Sequence, residues 1–412
     1  MFRFIHAADL HLDSPLKNLE LHDRDLAAEL RGATRQAFDN LIRLAIDSRV
    51  AFVLLAGDLF DGAWKDFNTG LFFLDRMRRL KAHSIRVFLV AGNHDAASRI
   101  STALRLPDNV HRFSSRRPES ISLPEHGVVL HGRSYHQRDV RENLARSYPD
   151  PDPEAFNIGL LHTALTGRSG HEPYAPCSRE ELIDLGYEYW ALGHVHQYEA
   201  VSRDPWIVFP GTIQGRHIRE TGPGGAVLVQ VEDGQVVSLE HRILDVVRWC
   251  RCRVDASTLQ RPEQLLDRAR TLLEAELGRA QGRSLAVRLD LDGPCPCFAE
   301  LIAEQERWQE ELAALALDCG DIWLEQVNFD LSPLDERVDP DTETPLDWIC
   351  RQVDRQEHLP AMEELAPVLL QLAGRLPADL RLDGNPLPER NGEFEQLLAE
   401  ARRLLLARIS AR

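Results

Sequence analysis

Along residues 1–244, short apolar runs alternate with stretches in which apolar residues recur every three or four positions. Phe2–Ala8, Ala51–Ala56 and Ile85–Ala91 are strand-length apolar runs, and Asn157–Leu161, Tyr187–Leu192 and Trp206–Phe209 continue the series. Phe38, Leu41, Ile42 and Ala45, and later Leu71, Phe72, Leu74 and Met77, keep helical spacing between them. Strands that are apolar on both sides need cover on both sides, so this pattern predicts an α/β fold.

A different pattern occupies residues 245–331. Cys250, Cys252 and Val254 alternate with Arg251 and Arg253, the mark of a half-buried strand. Leu265, Leu266, Ala269, Leu272 and Leu273 make a helix face, and Leu285, Val287, Leu289 and Leu291 alternate as a second strand. Phe298–Leu317 reads as one helix, and Trp323, Val327 and Phe329 are expected on one face of a third strand. This order predicts a second, smaller α+β domain. Residues 332–412 open with a linker rich in Pro, Asp and Glu (Ser332–Thr344), followed by helical stretches at Leu346–Gly374 and Glu393–Ile409. The last presents Phe394, Leu397, Leu398, Ala401, Leu404 and Leu405 on one face. That amphipathic tail needs an apolar surface, its own protein's or a partner's.

Composition narrows the function. Hydrophobic residues are 43% and charged residues 27% of the 412, which fits packed domains and excludes a mainly disordered chain. The net charge of -17 argues against coating nucleic acid by bulk charge, so any phosphate contact must be local. All but three of the 48 basic residues (Lys17, Lys65 and Lys81) are arginines, the better fork for phosphate. Seven cysteines, an odd and sparse number, favour a reducing compartment. With no signal-peptide pattern and no membrane-length apolar run, the expected location is cytoplasmic.

Five polar clusters follow predicted strands: Asp9-Leu10-His11, Gly57-Asp58, Gly92-Asn93-His94-Asp95, Leu161-His162-Thr163 and Gly193-His194-Val195-His196. Strand C-termini of an α/β fold open on one edge, so these distant residues can converge. Oxygen and imidazole donors without cysteine suit manganese, iron or zinc. The glycines before Asp58, Asn93 and His194 are expected to let the backbone turn sharply. Each cluster alone also reads as a turn or a satisfied polar group; the five together, in order, point to a metal centre.

The series D-x-H, G-D, G-N-H-D, H, G-H-x-H resembles the signature of calcineurin-like metallophosphoesterases. The stretches His6–Pro15, Ala56–Asp61 and Phe209–Arg216 are similar to the DNA-repair exonuclease branch, of SbcD and YhaO type. The resemblance covers residues 1–240. It implies a four-layer α-β-β-α sandwich, with the second domain as a cap and the C-terminal helical tail as an ATPase-docking region. It further implies two divalent metal ions, most readily Mn2+, with Fe2+ or Zn2+ as alternatives. One ion would be held by Asp9, His11, Asp58 and His196, the other by Asp58, Asn93, His162 and His194. By the same resemblance His94 contacts the scissile phosphate. Asp95 could hold the His94 imidazole, or cap the helix that follows. Asp61 stands where the eukaryotic and archaeal repair nucleases carry His.

The implied activity is a metal-dependent DNA nuclease working with an SbcC-like coiled-coil ATPase, since the chain has no G-x-x-x-x-G-K-[ST] of its own, and as a homodimer. Two other readings stay open. One is a phosphatase or phosphodiesterase for nucleotides or other small phosphoesters; the other is a non-catalytic scaffold between DNA and an ATPase. Arg216-His217-Ile218-Arg219 reads as a phosphate contact or a solvated loop. Cys295-Pro296-Cys297 reads as buried thiols, with metal or redox chemistry as the alternative.

Overall fold

The structure, a computed structural model, describes residues 1–14, 24–61, 67–97, 104–165 and 174–333, with residues 24–31 as backbone only. The C-terminal linker and helices expected beyond it lie outside the described residues. Two compact units divide between Trp249 and Cys250.

The first unit runs β1 (Phe2–Ala7), α1 (Arg24–Asp47), β2 (Phe52–Ala56), α2 (Phe67–Ala82), β3 (Arg86–Val90), α3 (Asn93–Ala97), β4 (Val110–Arg112), β5 (Glu119–Leu123), β6 (Val128–Gly132), β7 (Phe156–His162), α4 (Arg179–Asp184), β8 (Tyr189–Gly193), β9 (Glu199–Arg203), β10 (Trp206–Phe209), β11 (Gly225–Glu232) and β12 (Gln235–Ile243). One six-stranded sheet has the order β12-β11-β1-β2-β3-β4, the other β5-β6-β7-β8-β10-β9. β1 to β4 pair in parallel, as do β6, β7, β8 and β10, while the outer strands join antiparallel.

The strand period of two explains how these sheets stack. On β2, Phe52 and Leu54 belong to the core shared by both sheets, and Val53 and Leu55 to the core under α1 and α2. On β8, Tyr189 and Ala191 face the shared core, and Trp190 and Leu192 the opposite layer with Leu182 of α4. The result is the four-layer α-β-β-α sandwich that the sequence implied. Within the first sheet the Phe4 ring stacks on Phe52 of the neighbouring strand at 5.3 Å, and across the interface it meets Tyr189 edge-on at 5.2 Å. Such pairs add ~0.5–1.5 kcal/mol each beyond their buried area. His6 ties the sheets by polar contacts: its ring nitrogens lie 3.0 Å from the Tyr189 hydroxyl and 3.0 Å from the Leu192 carbonyl oxygen. Only Nε2–H can serve the carbonyl, so Nδ1 accepts from Tyr189. Burial lowers the His6 pKa to about 3, which keeps this ring neutral.

The second unit begins within β13 (Val247–Asp255) and continues with α5 (Gln264–Arg279), β14 (Ser284–Cys295), α6 (Phe298–Ala303), α7 (Gln305–Cys319) and β15 (Ile322–Pro333). Its three-stranded sheet, β13-β14-β15, packs Val254, Leu285, Leu289 and Phe329 against Leu265, Ala269, Leu312 and Leu315 of the helices. Two expectations are corrected here. The single helix over 298–317 is broken at Glu304, whose φ of -115° and ψ of 31° are not helical. Trp323 is not on the face of Val327 and Phe329, because a register shift opposite Val287/Arg288 inserts Glu325 as an extra residue. Ile322 and Leu324 face the core before that bulge, and Val327, Phe329 and Leu331 after it. Among the described residues no helix is long and apolar enough to cross a membrane.

Candidate metal centre

The backbone beyond β1 and β2 does not diverge at once. The amides of Asp9, His11 and Leu12 donate to the carbonyls of Gly57, Asp58 and Leu59, each at 3.0 Å, so the two loops run side by side. Leu10 and Leu12 are fully buried and anchor them. Asp9, His11 and Asp58 have φ of 51°, 41° and 54°, and His194 of the second sheet has 101°. A non-glycine residue rarely adopts this left-handed backbone, and four at one sheet edge mark strain stored at a site. Asp13, also at positive φ, locks the first loop: its carboxylate accepts from Arg35 Nε at 2.8 Å and from the Thr69 hydroxyl at 2.5 Å.

The other clusters come from β3, β7 and β8. Asn93 opens α3, His162 ends β7, and His194 follows β8. The glycines serve a purpose other than the one the spacing suggested for two of the three. Gly57 does have a φ of 99°. Gly92 and Gly193 are needed for close approach instead: a Cβ on Gly92 would overlap the Asp58 carboxylate, and one on Gly193 the Ala56 carbonyl oxygen.

Five of the seven candidate ligands, Asp9, His11, Asp58, His162 and His196, share donor groups at this edge, and Asn93 and His194 stand next to His162. Donor atoms of Asp9, His11 and His196 lie within 4.8 Å of one another, as do those of Asp9, Asp58 and His162 and those of His11, Asp58 and His94. Among the described residues these are the groups with that property. His162 Nδ1 lies 2.9 Å from the Ala56 carbonyl oxygen, which fixes it as the N–H donor. Its Nε2 then faces two oxygens, Asn93 Oδ1 at 3.0 Å and Asp58 Oδ2 at 3.4 Å. The His162 ring stands 5.2 Å from that of His194, whose backbone N–H donates to Asp9 Oδ2 at 3.0 Å. Among the described residues neither nitrogen of the buried His11 has a hydrogen-bond partner. An unmade bond of that kind costs ~1–3 kcal/mol.

The electrostatics tell the same story. Burial raises the Asp9 pKa against the pull of His196 and His162, and burial, aided by Arg216, holds His11 well below its usual value. Burial opposes charge on His162 too, yet Asp58 and Asp9 lift it to about 9. Burial would raise Asp58 as well, but the imidazoles of His162, His11 and His94 outweigh it and hold that carboxyl well below the usual range. Lone pairs and carboxylates aimed at each other call for positive charge between them. A divalent cation answers that field, so the donors present fit a metal.

The His94 side chain borders this cluster and has a partner of its own. Its backbone N–H donates to Asp58 Oδ1 at 2.9 Å, and its Nδ1 lies 3.3 Å from Asp61 Oδ1. The imidazole is thus held by Asp61 and makes no hydrogen bond with Asp95, contrary to one of the two expectations for that residue. Asp95 accepts from the backbone amides of Leu59, Phe60 and Gly92 at 3.0, 3.1 and 3.2 Å. It pins the loop that carries Asp58 to the start of α3. Burial works against the His94 imidazolium, but the Asp61 bond and the Asp58 charge more than offset it and raise the pKa.

Glu220 escaped the sequence reading altogether. It is only 6% exposed, and its Oε1 lies 2.7 Å from His196 Nδ1 and accepts from Arg216 Nη2 at 2.7 Å. Burial would raise its pKa, yet Arg216 and His196 hold it well below the usual range. The signal available was an arginine four residues earlier, which outside a helix means little. Arg216 is not part of a solvated loop: its side chain is 12% accessible.

A family model for calcineurin-like phosphoesterases matches residues 2–198, and one for the middle domain of the metallophosphoesterase YhaO matches residues 249–332. The uncharacterized metallophosphoesterase YhaO of Bacillus subtilis is 36% identical, over 74% of this chain and 78% of that protein. The DNA double-strand break repair protein Mre11 of Methanopyrus kandleri is 27% identical over 60% of this chain, which spans 58% of the archaeal protein. Of solved structures, a dimetal phosphatase from Danio rerio aligns with a TM-score of 0.35 and 12% identity, over 56% of this chain and 93% of that one.

Proposed function

Because the chain belongs to the calcineurin-like metallophosphoesterase family, we propose that it is a divalent-metal-dependent DNA nuclease that hydrolyses phosphodiester bonds by exo- or endonuclease action. The observation that carries this is the convergence of Asp9, His11, Asp58, His162 and His196 ligand atoms at one edge of the fold. Asp9, His11, Asp58 and His196 would hold one ion and Asp58, Asn93, His162 and His194 the other, with Asp58 shared between the two sets. Mn2+ is the first choice, and Fe2+ and Zn2+ suit the same donors. Bound there, the pair supplies Lewis-acid stabilisation of phosphoryl oxygens and an acidified water as nucleophile.

The chain's own groups do the rest. Asp95 and Asp13 fix the loops that aim the ligands. His94, whose protonated form the Asp61 bond favours, would face the departing oxygen and give it a proton. The archaeal relatives are named for double-strand break repair, which supports DNA as the diester. On this reading the second unit selects or deforms DNA, an SbcC-like coiled-coil ATPase is the partner, and the protein acts as a homodimer.

The test is a nuclease assay on the full chain, stripped with a chelator and titrated with Mn2+, using duplex DNA of defined ends beside the chromogenic diester bis(p-nitrophenyl) phosphate. Metal-dependent cleavage of both is expected. Cleavage of the chromogenic diester with intact DNA would move the assignment to small phosphoesters. Failure on both would leave a scaffold.

A further inference from the structure

The loop after β10 offers several basic residues, and the structure separates them. His217 and Arg219 are exposed, whereas Arg216 is nearly buried. Its guanidinium spends Nε and Nη2 on Glu220, at 3.3 and 2.7 Å. Nη2 also lies 3.5 Å from His196 Nδ1. The two N–H groups of Nη1 make no hydrogen bond among the described residues. The guanidinium charge acts on Asp9 and Asp61, and on His11 and His94. A cation with unused donors therefore stands beside the place where the ester would sit. Glu220 fixes it there, and through Oε1 the same carboxylate orients His196. A metal-binding imidazole characteristically gives its second N–H to such a carboxylate.

We propose that Arg216 contacts the substrate, giving its Nη1 donors to a non-bridging oxygen of the phosphodiester at the metal centre, and that Glu220 is the positioning residue joining this phosphate contact to the metal ligand His196. This rests on the phosphodiesterase reading and does not require that the diester be DNA. The planar fork of arginine suits it: a lysine ammonium could supply charge but could not bond Glu220 and the phosphate in one plane.

The experiment uses the full chain loaded with Mn2+, and the variants Arg216→Gln, Arg216→Lys and Glu220→Gln. Metal content is measured by elemental mass spectrometry, inorganic phosphate binding by calorimetry, and KM and kcat with bis(p-nitrophenyl) phosphate. Arg216→Gln should keep the metal and the melting curve, weaken phosphate about 10-fold or more and raise KM to match. Arg216→Lys should recover part of that loss. Glu220→Gln should weaken phosphate and, unlike Arg216→Gln, metal as well. Wild-type phosphate affinity and KM in Arg216→Gln would overturn the proposal, as would a loss of metal in it equal to that of Glu220→Gln. If the protein cleaves neither diester nor DNA, the nuclease reading fails, while phosphate calorimetry still decides the role of Arg216.

Discussion

In residues 1–249 one set of titratable groups turns inward: Asp9, His11 and His162 are fully inaccessible, and Asp58 is 1% exposed. In residues 250–333 comparable charges pair on the other side of a sheet. Arg253 with Asp292 and Arg288 with Glu325 join neighbouring strands with part of each pair in water, and Arg251 reaches Asp290 the same way. Such pairs contribute ~0–1 kcal/mol each and ask for nothing further. The first set is different in kind. Asp9, His11 and Asp58 sit on left-handed backbone, and the His11 nitrogens have no hydrogen-bond partner among the described residues. A protein tolerates broken local rules where they serve chemistry, so the contrast separates a working site from a scaffold of the same amino acids.

The strongest way to break that contrast is to remove one charge from each unit. Asp58→Ala should lose bound metal and, with it, measurable hydrolysis. His94→Ala should keep the metal and lower kcat by about 10²–10⁴-fold, the range for losing a general acid. Asp292→Ala in the second unit, which removes the partly exposed pair with Arg253, should leave metal content untouched and change stability by about 1 kcal/mol or less. Elemental analysis, kinetics and denaturation read all three. Full activity in Asp58→Ala or His94→Ala, or metal loss in Asp292→Ala, would erase the distinction.

A milder probe uses His6, whose pKa of about 3 belongs to the folded state alone. Between there and the unfolded value near 6.5 the unfolded chain binds the extra proton, so stability rises with pH across that window. It is complete above pH ~6.5 and falls by about 1.4 kcal/mol per unit as acid approaches the folded pKa. His6→Gln, which cannot titrate, should flatten the acid side of the stability curve for the first unit. An unchanged slope would mean that the ring is not buried neutral between Tyr189 and Leu192.

The same contrast explains what the sequence disclosed. Strands apolar on both faces, such as Phe52–Ala56 and Tyr189–Gly193, declare themselves because they need cover on both sides. β12, exposed or half-buried throughout, gives no such signal, and β5 is too short for its alternation to stand out. The strand-end ligands were legible because each cluster is local and its residue types are chemical. Asp61 and Glu220 were not, since their roles depend on contacts with His94 and His196 made 33 and 24 positions away. Trp323 was misplaced because alternation cannot reveal a bulge that the partner strand imposes.

The smallest effect concerns the one motif of the second unit that looks chemical. Cys295 and Cys297 place their sulfurs 3.5 Å apart, at 1% and 6% exposure. Burial raises both thiols, and with Cys295 beside it Cys297 is pushed up to about 12. A thiol reacts and binds metal as thiolate, and a rise from ~8.5 to that value cuts the thiolate by about 10³-fold. Iodoacetamide at pH 8 should therefore leave these two cysteines unmodified in the folded chain and alkylate both in denaturant, as peptide mapping would show. Metal content should be the same in Cys295→Ser/Cys297→Ser as in the unchanged protein. Fast alkylation of the folded chain would show that burial does not silence the pair. A drop in metal would show that the second unit holds an ion of its own, and the division between a reactive unit and an inert one would have to be redrawn around Cys295 and Cys297.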